Sequence, residues 1–333
     1  MSGIIFSENS AKNNAVFGKY QAPIQAFLER RSEAFQQLSL LPYLFKMGKS
    51  ENFGDMLTTM TAMNGFKPVG ENGTYPMDEM EQGYEKLLQY ETWKNRFAVS
   101  QEMVEDVKLI NFEGHPEQFI SAYYRTRERF GASLYGAAIM GSTHSTFEGK
   151  KWDVTGADGQ TVFHTGHKNK VKGGPQCNKF KDVFSTDALS RAESAMHLFK
   201  GDNGELLSVC PDTIVIGEDP DLLKEIFGVI GADKDPATAN NAFNYHFGRW
   251  TVIANPYLNE FITGTDHPWI LMDSRFNDIY GGAVWNDRLP LTMKSYIDND
   301  NDANVWNGRA RFNAVFNDWR FACLGGVSSG SAL

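Results

Sequence analysis

Residues 93–109, WKNRFAVSQEMVEDVKL, change period in mid-segment, and this limits what the chain can fold into more than any other stretch. Trp93, Asn95, Phe97 and Val99 share one parity while Lys94 and Arg96 take the other, the two-residue period of a strand with one buried face. After Ser100 the spacing turns helical, and Ser100 stands where an N-cap belongs. No catalytic group lies between the two patterns. The segment reads as a junction in a structural scaffold.

What surrounds that junction narrows the class. In 333 residues, 41% hydrophobic and 13% aromatic, there is enough apolar material for one large or two moderate cores. The formal net charge of -9 argues against a protein whose main task is gripping phosphates. Cys177, Cys210 and Cys323 are odd in number and far apart, which fits buried thiols in a reducing compartment better than a disulfide framework. No apolar run approaches the roughly 20 residues needed to cross a bilayer, and the opening MSGIIFSENSAKNN lacks the form of a signal peptide. The chain is expected to stay cytosolic when made. No repeat at solenoid period occurs.

The pattern divides the chain into an arm, a hairpin and a body. In residues 1–63, Ile24, Phe27, Leu28, Arg31, Phe35 and Leu38 predict one amphipathic helix, broken afterwards by Pro42, Gly48 and Gly54. Between Asn64 and Arg96 turn formers collect at Gly65, Pro68, Gly70, Asn72-Gly73, Pro76 and Gly83. Asn72-Gly73 is a strong hairpin signal. A long two-stranded ribbon has little to bury alone, so it is either covered by a neighbour or is an ordinary surface loop.

Pro116 opens the clearest helix, with Phe119, Tyr123, Phe130, Leu134, Ala137 and Met140 as its apolar stripe. Arg125, Arg127, Glu128 and Arg129 fall on the other side, as a solvated face or inter-subunit ion pairs rather than a nucleic-acid site. From Gly141 the chain becomes mixed α/β. A hairpin is predicted around Trp152 to Phe163, then a helix from Thr186 capped by Ser185 or Thr186, with Leu189, Ala192, Met196 and Phe199 inward. Leu206 to Cys210 and Thr213 to Ile216 read as short strands, and Asp219-Pro220 starts a helix that turns Leu222, Leu223, Ile226 and Phe227 inward. Gly231 to Asn241 reads as a loop, and Trp250 to Ala254 and Trp269 to Met272 as strands. Leu289 to Ile297 and Arg309 to Leu324 alternate, with Phe312, Ala314 and Phe316 on one parity, around an acidic turn at Asp298 to Asp302. The final GGVSSGSAL is expected to fray.

Candidate chemistry is thin. Asp298, Asn299, Asp300 and Asp302 lack the glycine and closing glutamate of a calcium loop. His164, His167 and Cys177, with His144 upstream, have zinc-ligand chemistry but not the spacing of a zinc motif. No Gly-x-Ser-x-Gly elbow or dinucleotide turn is present, and Gly48-Lys49-Ser50 lacks the upstream glycine of a phosphate loop. Glu105 and Asp106 are adjacent on a helix and point apart.

Several phrases in order resemble the major head proteins of tailed bacteriophages, nearest to the Mu-like group. They are the 93–109 junction, TVFHTGHKN at Thr161 to Asn169, LLSVCPDTIVIGEDPDLLKEIF at Leu206 to Phe227, FGRWTVIANPYL at Phe247 to Leu258 and HPWILMD at His267 to Asp273. The resemblance implies an α+β subunit of the HK97 type. Its parts would be an N-terminal arm (1–63), an extended hairpin loop (64–100), the spine helix of a peripheral lobe (101–145), an axial lobe (146–285), and a return to the peripheral lobe with the tail (286–333).

By the same resemblance the chain is a structural protein, not an enzyme. It would need no cofactor or metal and would self-assemble into pentamers and hexamers of an icosahedral head. That head would enclose double-stranded DNA without sequence-specific binding and without a membrane. A separate scaffold protein, a portal, and decoration or tail-connector proteins are the implied partners. The implied location is the virion, after assembly in the host bacterial cytoplasm. Inter-subunit contacts are expected at Phe27, Phe35, Lys67, Tyr75, Tyr84, Lys86, Trp93, Arg125 and Arg129. One branch of the family crosslinks a lysine to an asparagine; Lys67 and Lys86 sit in the hairpin without an identified partner. Two rivals stand beside this reading: an encapsulin-like nanocompartment shell, and a metal-dependent enzyme using His164, His167 and Cys177.

Overall fold

The computed structural model describes residues 5–6, 34–36, 38–59, 68–71, 73–75, 77, 83–100, 114–231, 243–264, 266–300 and 303–332. Phe27, Lys67, Asn72, the helical run after Ser100, most of the 24–38 helix and the 231–241 loop beyond its first residue therefore lie outside the described residues.

The first sheet is built on two long strands, β11 (Ala283–Asp298) and β12 (Ala303–Phe316), paired antiparallel. Phe312, Ala314 and Phe316 are all buried, but so are Asn313 and Val315 between them: this part of the strand is covered on both faces, and the predicted alternation does not appear there. β11 starts six residues earlier than the predicted Leu289 and accommodates Pro290 through register shifts between Asp287 and Thr292, where no ladder donor is required. β5 (Glu91–Val99) flanks β12 and confirms the strand half of the junction. Trp93, Phe97 and Val99 face inward, and Lys94, Arg96 and Ala98 are exposed; Asn95, assigned to the inward parity, is exposed as well. On the far side β11 takes two parallel partners, β1 (Ile5–Phe6) and β2 (Lys46–Lys49), the latter following the short helix α1 (Leu41–Leu44).

Across this sheet lies α2 (Gly114–Ile139), 26 residues long. Its first half is amphipathic. Its second half is buried almost all round, because sheet residues cover one side and the 256–261 segment covers another; a Cβ on Gly136 would sit 2.4 Å from Phe261. Close approach to the sheet is set by Gly308, where a Cβ would stand 2.5 Å from the Phe119 ring. Met140 lies past the helix end and is exposed, contrary to its assignment to the stripe.

The second sheet follows the order β13 (Ala322–Gly325), β10 (Trp269–Met272), β8 (Thr213–Gly217), β9 (Thr251–Asn255). β8 and β9 are parallel and joined through α4 (Pro220–Ile230), while the other neighbours are antiparallel. Every residue of β10 and β13 is buried, the signature of strands covered on both faces. α3 (Thr186–His197) begins as predicted: Ser185 accepts a hydrogen bond from the Ala188 N–H, and Leu189, Ala192 and Met196 are buried. Asp219 caps α4 in the same way. A last helix, α5 (Ser274–Tyr280), leads into β11.

Four expectations need correction. Leu206 to Cys210 is not a strand; only Leu206 bridges, to Lys200, and Ser208 adopts a positive φ of 54° that breaks extension. Phe227 is 55% exposed, since four inward residues in adjacent pairs make a stripe wider than the buried face of α4. The hairpin near Trp152 forms one turn earlier, as β6 (His144–Phe147) and β7 (Lys150–Asp153) around Glu148-Gly149, both at positive φ. The Trp152 to Phe163 stretch holds instead the single bridge Thr155 to Thr161. The tail does not fray through Ser331: Val327 is buried, and the Lys181 N–H donates to the Ser331 carbonyl at 2.8 Å.

Candidate functional site

A two-stranded ribbon leaves the body next to the first sheet. β3 (Gly54–Thr58) and β4 (Glu85–Gln89) pair with each other only, so one face of each strand meets the body and the other does not. The inward residues fix the ribbon firmly. Lys86 binds the Asp153 carboxylate, the Thr155 carbonyl at 3.1 Å and the Thr155 hydroxyl at 2.9 Å. Burial alone would raise the Asp153 carboxyl, but Lys86 and Thr155 outweigh it and hold the group below the usual carboxylate range. Tyr90 donates to Asp55, and Asn286 of β11 reaches the Tyr90 hydroxyl at 3.1 Å.

At the far end of the ribbon, Thr59 donates to Asp202 at 3.0 Å and accepts the Tyr84 N–H at 2.7 Å, while Lys170 donates to the Gly83 carbonyl at 2.6 Å. Asp202 is itself buried and paired with Arg320 at 2.8 Å; Arg320 also holds Asp318. Burial works against the Arg320 charge, and the two carboxylates more than restore it. This hub fixes the point at which the chain departs toward residue 60 and returns at residue 83.

The outward side of the ribbon carries an uncovered apolar pair, flanked by the exposed polar residues Thr58, Glu85 and Gln89. Met56 and Leu87 are directly opposite each other across the strands and are 59% and 53% exposed. Phe53, just before β3, is also exposed. Further out, Tyr75 is 98% and Met77 95% exposed. Large apolar groups are thus left open to solvent on a segment firmly rooted through its other face.

The expected contact residues scatter around this geometry. Tyr75 is on the open surface and Arg125 is exposed. Phe35 stacks on Tyr124 with ring centroids 5.8 Å apart. Tyr84 and Lys86 are engaged within their own chain along the ribbon, and Arg129 pairs with Glu260 at 2.8 Å. Trp93 is partly buried and packs against the core, stacked on Trp152 at 5.5 Å and on Phe312 at 5.0 Å. Arg127, read as part of a solvated or inter-subunit face, is buried against Asp287. Met56, Leu87 and Phe53 were not anticipated. Their alternation was legible, but which parity faces out depends on body residues far away in sequence.

The histidines and cysteine of the metal rival do not converge. His167 stacks on Trp319 at 4.2 Å and hydrogen-bonds Asp158 at 2.6 Å and Asn178 at 3.1 Å. His164 Nδ1 accepts the Gly166 N–H, and Cys177 donates to the Lys179 carbonyl. Among the described residues no group of three or more His, Cys, Asp or Glu side chains could hold a metal ion. A Ser190–His246 contact of 2.8 Å also fails as a nucleophile and base. His246 Nδ1 accepts from the Trp250 indole, so Nε2 carries the proton and Ser190 is not activated.

A family model described as "phage capsid protein" matches residues 84–324. None of the curated proteins compared with the chain matches it. Among solved structures, the capsid of the native GTA particle is 12% identical, with 91% of each chain covered and a TM-score of 0.50. The capsid of Cyanophage P-SCSP1u is 9% identical over 85% of this chain and 86% of that one, with a TM-score of 0.51. At such identities the likeness is one of fold, the HK97-like α+β fold.

Proposed function

We infer a role from the premise that this chain belongs to the phage capsid protein family: its copies assemble into pentamers and hexamers that close an icosahedral head around double-stranded DNA. Within the family we place it nearest the Mu-like major head subunits, on the phrases at 93–109 and 161–169. The first sheet with α2 serves as the peripheral lobe, and the second sheet with α3 and α4 as the axial lobe. Scaffold, portal and decoration proteins are the further partners such a head calls for, and the virion is where the chain resides.

One observation carries this reading: the β3–β4 ribbon is bolted to the body along one face and bare along the other. A second copy laid over Met56, Leu87 and Phe53 removes that apolar area from water at about 25 cal/mol per Å². Each contact is modest. A closed shell repeats it many times, so symmetry supplies the stability that one interface lacks.

Negative-stain microscopy of the purified full-length chain tests the proposal. Rings of five or six subunits, or particles of uniform diameter, are expected; a compact monomer under every buffer condition would refute it.

A further inference from the structure

The face of the first sheet turned away from α2 carries a row of cations with no acid among them. In register, Lys94 lies opposite Arg309, which lies opposite Thr292; one row along, Arg96, Asn307 and Lys294 line up. Arg311 follows on β12, opposite Thr92 and Leu289. Lys94, Arg96, Lys294 and Arg309 are exposed around a concavity of about 720 Å³ that also includes Leu289 and Thr292. The Arg311 Nε is buried and has no hydrogen-bond partner. Like charges directly opposite each other in a sheet destabilise it. A protein with 41 acidic and 32 basic residues nonetheless keeps Lys94 against Arg309 here. Such a face is relieved by an anionic partner.

The chain contains a matching anion. Between the ribbon strands, residues 71–81 carry Glu71, Asp78, Glu79 and Glu81 and neither Lys nor Arg. The ribbon strand that leads toward this segment ends at the opposite end of the sheet. Asn317, just beyond β12, donates to the Thr58 carbonyl at 3.2 Å, whereas Arg309 lies roughly 25 Å back along the strand at about 3.3 Å per residue. That separation between the ribbon's anchored end and the basic face favours a second molecule over the chain's own face.

We propose that the basic face formed by Lys94, Arg96, Lys294, Arg309 and Arg311 receives the acidic segment 71–81 of a second copy. This rests on the shell reading and adds to it the landing place of the hairpin and its dependence on charge. Attraction between exposed charges of this kind falls off beyond about 8 Å at physiological ionic strength, so the contact is salt-sensitive and sets register between subunits.

The test uses the full-length chain and three variants: Arg96→Glu with Arg309→Glu, Asp78→Lys with Glu79→Lys, and all four together. The assembled fraction is read by sedimentation velocity. Each double reversal is expected to lower that fraction about tenfold or more near 0.1 M NaCl, and the fourfold charge swap to restore it to within about twofold of the parent. Recovery in the swap also shows that the doubles were folded. The proposal is overturned if the Arg96/Arg309 variant assembles like the parent, or if the swap stays as unassembled as the doubles. It is also overturned if that variant assembles normally but loses binding to a short DNA duplex, which would assign the face to phosphates. If the parent never assembles, the shell reading fails instead, and a labelled peptide of residues 68–83 still decides the docking. Binding to the parent that is lost with Arg96→Glu and Arg309→Glu sustains it, and no binding overturns it.

Discussion

Arg127 on α2 and Asp287 on β11 form a bidentate ion pair at 2.9 and 3.0 Å, closed off from solvent between helix and sheet. Tyr123 accepts a further bond from the guanidinium at 2.9 Å, the Trp285 and Phe312 rings lie 4.9 and 5.1 Å from it, and the Trp285 indole donates to Asp287. The pair locks the long helix onto the strand that begins the return of the chain. Removing one partner leaves the other charged and buried. Asp287→Ala is therefore expected to lower subunit stability by about 3–5 kcal/mol in urea denaturation. Arg127→Met with Asp287→Leu should recover most of this, short of about 1–3 kcal/mol for the Trp285 N–H left without an acceptor. Equal stability of the single and double variants would contradict the assignment.

Trp93 tests whether the junction segment serves fold or contact. Its ring sits between Trp152 and Phe312 with Phe130 at 5.3 Å. Trp93→Ala should cost about 3–5 kcal/mol in the unassembled subunit, measured by denaturant unfolding. Loss of assembly with unchanged subunit stability would place Trp93 at an interface instead.

The contrast between these two residues shows what sequence could and could not tell. Local signals were legible: the Ser185 cap, Asp219-Pro220, and the alternation of Trp93, Phe97 and Val99 each depend on neighbours within a few positions. Arg127 was misplaced because its partner is 160 residues away. The same holds for the tail, where Ser331 is held by Phe180 and Lys181, and for β13, whose partner β10 is some fifty residues earlier. The ribbon was foreseen as a projecting element. Its bare face was not, because burial of Lys86 and Leu88 rather than Leu87 is decided by Asp153 and by residues of β11 and β12.

His246 should make the subunit acid-sensitive in a defined window. Burial holds its imidazole below the usual 6.5, with Arg249 acting the same way and Glu193 opposing. Below pH 6.5 the unfolded chain takes up a proton that the folded chain resists, so stability falls as pH drops until the folded value is passed. The carboxyls held low, Asp153 and Asp158, lose their contribution only below their usual 3.8. Thermal midpoints between pH 7.5 and 5 should decline in the parent and stay flatter in His246→Gln. Parallel declines in the two proteins would contradict this.

Met56 and Leu87 face away from their own body, so Met56→Ser with Leu87→Ser should change subunit stability by no more than about 0.5 kcal/mol. The assembled fraction, read by light scattering, should drop. A large loss of subunit stability would mean that the pair is covered from within the chain.

The most direct measurement is sedimentation velocity on the full-length chain beside a variant in which residues 64–82 are replaced by a short Gly/Ser linker. That replacement spares Gly83, β4 and β5, leaving the Lys86 anchor and the Trp93 stack in place. The parent is expected to sediment as rings or closed particles, and the variant as a folded monomer. Particles of the same size formed by both would contradict the idea that one subunit's ribbon is completed by another.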